Sequence, residues 1–85
     1  MTRENEELTA VLDKVLPVVV RVHGKEHPEL ADILAKYNEA RAKLENGGDI
    51  SAEMEAIKKL SNNFKLPGDA CEAYAKVYNA LGKLK

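Results

Sequence analysis

Two histidines, His23 and His27, are the residues of this sequence best placed to bind a metal ion. They are spaced i, i+4, the separation at which two histidines on one helix can share a metal. Gly24 and Pro28 interrupt the segment, however, and predict a turn that holds His27 off the helical face of His23. The alternatives are a structural His23, hydrogen-bonded near a helix end, and an exposed His27 in a turn.

The single cysteine, Cys71, is a candidate redox or metal-binding sulfur. The pattern places it in the first turn of a predicted helix, where the helix dipole stabilises a thiolate. The carboxylates of Asp69 and Glu72 oppose that effect. The alternative for Cys71 is a small buried hydrophobic residue, as free cysteines often are.

The composition predicts one globular domain over residues 1–85. Its 13 basic and 14 acidic side chains are too balanced for electrostatic capture by nucleic acid or by a membrane surface. A chain this short has a modest core, so we expect a protein partner or self-association. One cysteine excludes an internal disulfide and the chain opens with no export leader, which together favour a cytoplasmic protein.

Apolar residues recur every three or four positions and predict four helices. The first runs from about Glu4 to about Val22, with a kink expected at Pro17. Its predicted core face comprises Leu8, Val11, Leu12, Val15, Leu16, Val19 and Val22.

The three further helices are predicted between turn signals. Gly24, Gly47-Gly48 and Pro67-Gly68 mark the breaks, and Pro28 fits the first position of the second helix. Asp69 is expected to cap the fourth helix, with Glu72 three residues on. The predicted core face of that helix comprises Ala70, Ala73, Tyr74, Val77, Tyr78 and Leu81. Short connections predict an all-α fold, an antiparallel four-helix bundle.

Two segments resemble the hemerythrin-like domain of the Ric family, di-iron proteins linked to iron–sulfur cluster repair after nitrosative or oxidative stress. Residues 16–30 read LPVVVRVHGKEHPEL, and residues 60–74 read LSNNFKLPGDACEAY, with VYN following at 77–79. The pair of asparagines, the proline, the Ala-Cys and the aromatic residues of the next helix make the second segment the more specific.

The resemblance implies iron as the cofactor but an incomplete set of ligands in one chain. The family's Val-His-Gly histidine binds iron, and the residue that matches it is His23. The family's His-x-x-x-Glu helix end is replaced after Leu44 by ENGG at 45–48. The chain therefore resembles a shortened member that acts in cluster repair as an accessory or binding module and not as a self-sufficient di-iron enzyme.

Two other functions stay open. In one, the chain is a metal-binding protein whose iron site is completed by dimerisation, using His23 with His27 or acidic side chains of the first helix. In the other, it is a helical protein-interaction module that binds no metal.

Overall fold

The computed structural model describes residues 2–85 and contains four helices: α1 (Arg3–His23), α2 (Glu29–Glu45), α3 (Ser51–Leu60) and α4 (Glu72–Lys83). No strand occurs within these residues. The predicted all-α fold is confirmed, and so are the three breaks. Helix α1 continues through Pro17, and the expected kink stays a prediction.

Helix α1 contacts both α2 and α4, while α3 packs chiefly on α2. All four helices contribute to one hydrophobic core. Its fully buried members are Leu12, Leu16, Leu30, Ile33, Ala40, Ile57, Tyr74, Val77 and Leu81. Burial of such side chains is the main stabilising contribution in a domain of this size.

Polar contacts occur between α1 and the α4 region at both ends of the helix pair. At the start of α1, Thr2 accepts a hydrogen bond from the Asn5 backbone N–H as an N-cap. The Asn5 side chain donates to the Lys85 carbonyl over 2.6 Å and accepts from the Lys85 N–H over 3.3 Å. At the far end of α1, His23 contacts Cys71, the residue before α4.

A second set of polar contacts joins the middle of α1 to α2. The Tyr37 hydroxyl donates to Asp13 Oδ1 over 2.6 Å, and Arg41 Nε donates to Asp13 Oδ2 over 3.2 Å. Arg41 also donates to Glu45 over 3.0 Å. We call Asp13, Tyr37, Arg41 and Glu45 the central network.

The prediction that Val22 faces the core is wrong. Val22 is 63% exposed, whereas Leu12, Leu16 and Val19 are buried. Each helical residue turns by about 100°, so Val22 points roughly 120° away from Leu16, although a spacing of three still joins it to Val19.

Two predicted helix starts also differ from the structure. Asp69 does not cap α4, because its carboxylate binds His27 instead and the helix begins at Glu72 with Cys71 at the N-cap position. Cys71 therefore lies just before the first turn and not within it. Pro28 occupies the N-cap position of α2, one residue earlier than expected.

The chain leaves α3 through three consecutive left-handed residues, Asn62, Asn63 and Phe64, whose φ angles are 53°, 61° and 59°. Asparagine tolerates this conformation, but for Phe64 it costs about 1–2 kcal/mol. Ser61 holds the turn by accepting the Phe64 backbone N–H over 2.9 Å, and the Phe64 ring meets Tyr78 edge-on. The loop that follows brings Asp69 to His27 and Cys71 to His23.

Candidate functional site

The candidate site lies where α1 ends and α4 begins. His23 is the last residue of α1, and His27 follows after a turn. The backbone N–H of His27 donates to the His23 carbonyl over 2.9 Å. Asp69 and Cys71 come from the loop before α4. We call His23, His27, Asp69, Cys71 and the adjoining Tyr74 the His–Cys end.

Gly24 allows the tight exit from α1. Its φ of −60° is an ordinary right-handed value, so the position does not need glycine for conformational freedom. The Gly24 N–H donates to the Val20 carbonyl over 2.8 Å, and a Cβ at this position would run into that carbonyl oxygen. The close approach of residue 24 to the Val20 carbonyl is thus the physical reason for a glycine between the two histidines.

His23 and Cys71 form the first polar pair of the site. The His23 Nε2 atom lies 3.2 Å from the Cys71 Sγ atom, well within range for a hydrogen bond to sulfur. The direction of that bond follows from the imidazole tautomer. Cys71 is exposed and His23 is half-buried, and the contact between them lies at the surface. Nitrogen and sulfur are donors that soft and borderline transition metals accept.

His27 and Asp69 form the second pair. The His27 Nε2 atom lies 3.0 and 3.1 Å from the two Asp69 carboxylate oxygens, and His27 Nδ1 lies 3.8 Å from Glu29. The hydrogen bond from His27 lowers the pKa of the Asp69 carboxyl below its ordinary value. This pair ties the α1–α2 turn to the loop before α4.

Tyr74 packs against both histidines. Its ring centroid lies 5.1 Å from that of His23 and 5.7 Å from that of His27, each in an edge-on arrangement. A turn at residues 24–26 separates the two histidines, as the sequence predicts, and both imidazoles lie against the same Tyr74 ring. Tyr74 is the residue that brings them together.

The Tyr74 hydroxyl is buried and has no hydrogen-bond partner among residues 2–85. Burial raises the pKa of Tyr74, and the neighbouring Tyr78 hydroxyl adds to the effect without reaching hydrogen-bond geometry. Beside Tyr74 lies a cleft of about 230 Å³ whose polar lining includes His27, Glu29 and Ser61.

The described residues do not fit a di-iron centre. Carboxylate-and-histidine di-iron sites in helical bundles draw ligands from all four helices. Within residues 2–85, no group of three or more His, Cys, Asp or Glu side chains is placed to hold a metal ion. The His–Cys end offers pairs of donors, of which His23 with Cys71 is the pair that combines nitrogen and sulfur.

Comparison of the chain with protein-family profiles, with curated proteins and with solved structures finds no match. Within residues 2–85, every helix is too short or too polar to cross a lipid bilayer.

Sequence reasoning singled out His23, His27 and Cys71 one at a time and missed how they pair. The sequence pattern indicated only a hydrogen bond for His23 near a helix end, and the structure places the thiol of Cys71 there, 48 positions along the chain. Asp69 was read as a helix cap. The signal in the sequence was the resemblance. His23 and His27 lie in its first segment, and their partners lie in its second.

Proposed function

We propose that the chain is a non-enzymatic binding module of iron–sulfur cluster repair, and that the His–Cys end is its working surface. The observation that carries the proposal is the 3.2 Å contact between His23 Nε2 and Cys71 Sγ at the surface. Two adjacent donors of this kind leave further positions on a metal for a partner protein to fill. The module thus contributes to a shared site and does not hold iron alone.

The proposal includes an antiparallel arrangement of neighbouring helices, with α1 bent near Pro17. It is supported by the contacts of α1 with α4, because Asn5 meets Lys85 at one end and His23 meets Cys71 at the other. In this arrangement the end of α1 and the start of α4 lie side by side. Each therefore presents one donor to the same surface.

Recovery of a damaged cluster tests the cellular role. A strain without the chain would be exposed to nitric oxide, and the activity of a [4Fe–4S] dehydratase would be followed as it returns. We expect faster recovery when the wild-type chain is restored, and no gain with Cys71→Ser or His23→Gln. Glu55→Gln, an exposed change on α3, is the matched control and should restore recovery fully. Equal recovery with and without the chain would contradict the role in repair.

Cobalt(II) tests the donor pair directly, because a thiolate ligand gives Co²⁺ a charge-transfer absorption in the near ultraviolet. We expect that absorption from the wild-type chain and its loss in Cys71→Ser. His23→Gln should weaken binding while sulfur remains a ligand, since one of two donors is left. Absorption unchanged by both substitutions would show that the pair is not the metal-binding surface.

A second candidate is an iron site completed by another copy of the same chain. The observation that favours it is again the surface position of both donors, since a two-fold axis would bring two His23–Cys71 pairs together as four ligands. Native mass spectrometry after anaerobic addition of Fe²⁺ separates the two candidates. One iron per two chains, lost in Cys71→Ser, favours the dimer. Two irons per monomeric chain, lost in His23→Ala, would contradict both.

A further inference from the structure

A stripe of valines runs along one side of α1. Val11 and Val15 are half-buried, whereas Val18 is 42% and Val22 is 63% exposed. Spacings of four, three and four residues keep the four side chains on one side of the helix. We call them the valine stripe.

At Val15 the stripe borders a groove whose other lining residues belong to α4. The groove has a volume of about 590 Å³. Its lining residues are Val15, Glu72, Ala73, Ala75, Lys76 and Asn79. The small side chains of α4 leave room beside the stripe, which is the form of surface that accepts an amphipathic helix.

Positive charge borders the exposed part of the stripe. On a helix the nearest neighbours of Val18 are three and four residues away, so Lys14 and Arg21 flank it on α1. Lys76 lies in the groove on α4. None of these three cations has an ion-pair partner within residues 2–85. Glu72 is the one carboxylate that lines the groove.

We infer that the valine stripe and its groove bind an amphipathic helix of a partner protein whose apolar face is bordered by acidic side chains. The valines would meet the apolar face, while Lys14 and Arg21 would meet the carboxylates. A second copy of this chain fits less well. Two stripes packed antiparallel across a two-fold axis would set the cationic border of one copy against the same border of the other.

The inference does not depend on metal binding, because no donor of the His–Cys end belongs to the surface. Val22 nevertheless directly precedes His23, so a helix bound along the stripe would end next to that site. A negative result in the cobalt and recovery tests would not bear on peptide binding to the stripe. Equally, a stripe that binds no peptide would not bear on the His23–Cys71 pair.

Fluorescence anisotropy with two labelled synthetic helices tests the proposal. Both peptides would carry one leucine face, bordered by glutamate in the first and by lysine in the second. We expect the acidic peptide to bind at least tenfold more tightly than the basic one, with a preference that weakens as salt is added. Val18→Ser combined with Val22→Ser should weaken binding at least tenfold while the helical circular dichroism is retained.

Charge reversal supplies the sharper test. Lys14→Glu with Arg21→Glu should invert the preference between the two peptides. Lys58→Glu with Lys59→Glu, exposed cations on α3 away from the stripe, is the matched control and should leave the preference unchanged. Equal binding of the two peptides, or none, would overturn the inference. So would binding to phosphatidylserine vesicles without peptide binding, or self-association that the valine substitutions abolish.

Discussion

The central network and the His–Cys end are both polar clusters that include residues of α1, but they differ in how fully their polar atoms are hydrogen-bonded. In the central network, Asp13 accepts from Tyr37 and Arg41 on its two oxygens, and Tyr37 is 1% exposed. At the His–Cys end the polar atoms pair two by two at the surface, and the buried Tyr74 hydroxyl has no partner within the described residues.

The two regions differ in how many of their polar atoms already have a hydrogen-bond partner. A carboxylate whose oxygens are both used holds two helices in one register and has little capacity left for a ligand. The exposed thiol of Cys71 keeps that capacity. Within residues 2–85, the central network is therefore the more completely hydrogen-bonded of the two regions.

The largest expected effect comes from removing the core beneath the His–Cys end. Tyr74→Ala and Leu81→Ala should each lower the free energy of unfolding by about 2–5 kcal/mol, since both residues are fully buried. Urea denaturation followed by circular dichroism measures the change. Tyr74→Ala should also release both imidazoles, which NMR shifts of His23 and His27 would report. A denaturation curve unchanged by either substitution would contradict the packing.

The next effect contrasts two tyrosine hydroxyls. Tyr37→Phe removes a hydrogen bond to the Asp13 carboxylate and should cost about 1.5–3 kcal/mol. Tyr74→Phe removes a hydroxyl that has no hydrogen-bond partner within residues 2–85, so stability should be unchanged or rise by up to about 1 kcal/mol. Each substitution is the control for the other in the same denaturation experiment. A loss in Tyr74→Phe as large as that in Tyr37→Phe would erase the distinction between the two regions.

The helices and most of the core were predictable from the sequence because they depend on local periodicity. Leu12, Leu16 and Leu81 sit where spacings of three and four place them. Val22 was misplaced because the core face of α1 is narrower than its run of valines. Phe64 gave no signal, since a left-handed conformation at an aromatic residue follows from the tertiary contact with Tyr78 and not from local preference.

The pairings of the site were beyond local reasoning. Cys71 and His23 meet only because α1 and α4 pack with those ends together, and no spacing rule relates positions 48 residues apart. Asp69 carried a valid cap signal, but the contact with His27 competes for the same carboxylate and wins. Tertiary contacts overrode a local rule at the candidate site, which is where such conflicts are expected.

Alkaline pH should probe the tyrosines of both regions together. Burial raises the pKa of Tyr37, Tyr74 and Tyr78, and the hydrogen bond with Asp13 raises that of Tyr37 further. The unfolded chain releases these protons first, near pH 10, so stability is intact below that pH and falls above it. Each raised tyrosine should contribute a loss of up to about 1.4 kcal/mol per pH unit.

Urea denaturation between pH 9 and 11.5, with tyrosinate absorbance recorded in parallel, measures this slope. Tyr37→Phe and Tyr74→Phe should each reduce it by about one proton, even though their stabilities at neutral pH differ. The same slope in wild type and both variants would mean that neither hydroxyl is buried as described.

The smallest expected effect is the one that decides whether the His–Cys end is a fastening after all. Cys71→Ser and His23→Gln should each change the free energy of unfolding by no more than about 0.5 kcal/mol, because Cys71 is exposed and the contact lies at the surface. Asp13→Asn is the matched comparison on the same helix, and it should cost more because it weakens two contacts to α2 at once. Both sets of variants would be compared in one series of urea curves. If Cys71→Ser and His23→Gln cost as much as Asp13→Asn, the contact between His23 Nε2 and Cys71 Sγ holds α4 to α1. That result would contradict the proposal that the pair is a binding site. If the two substitutions cost nothing, no part of the fold depends on the pair, as the proposed binding role requires.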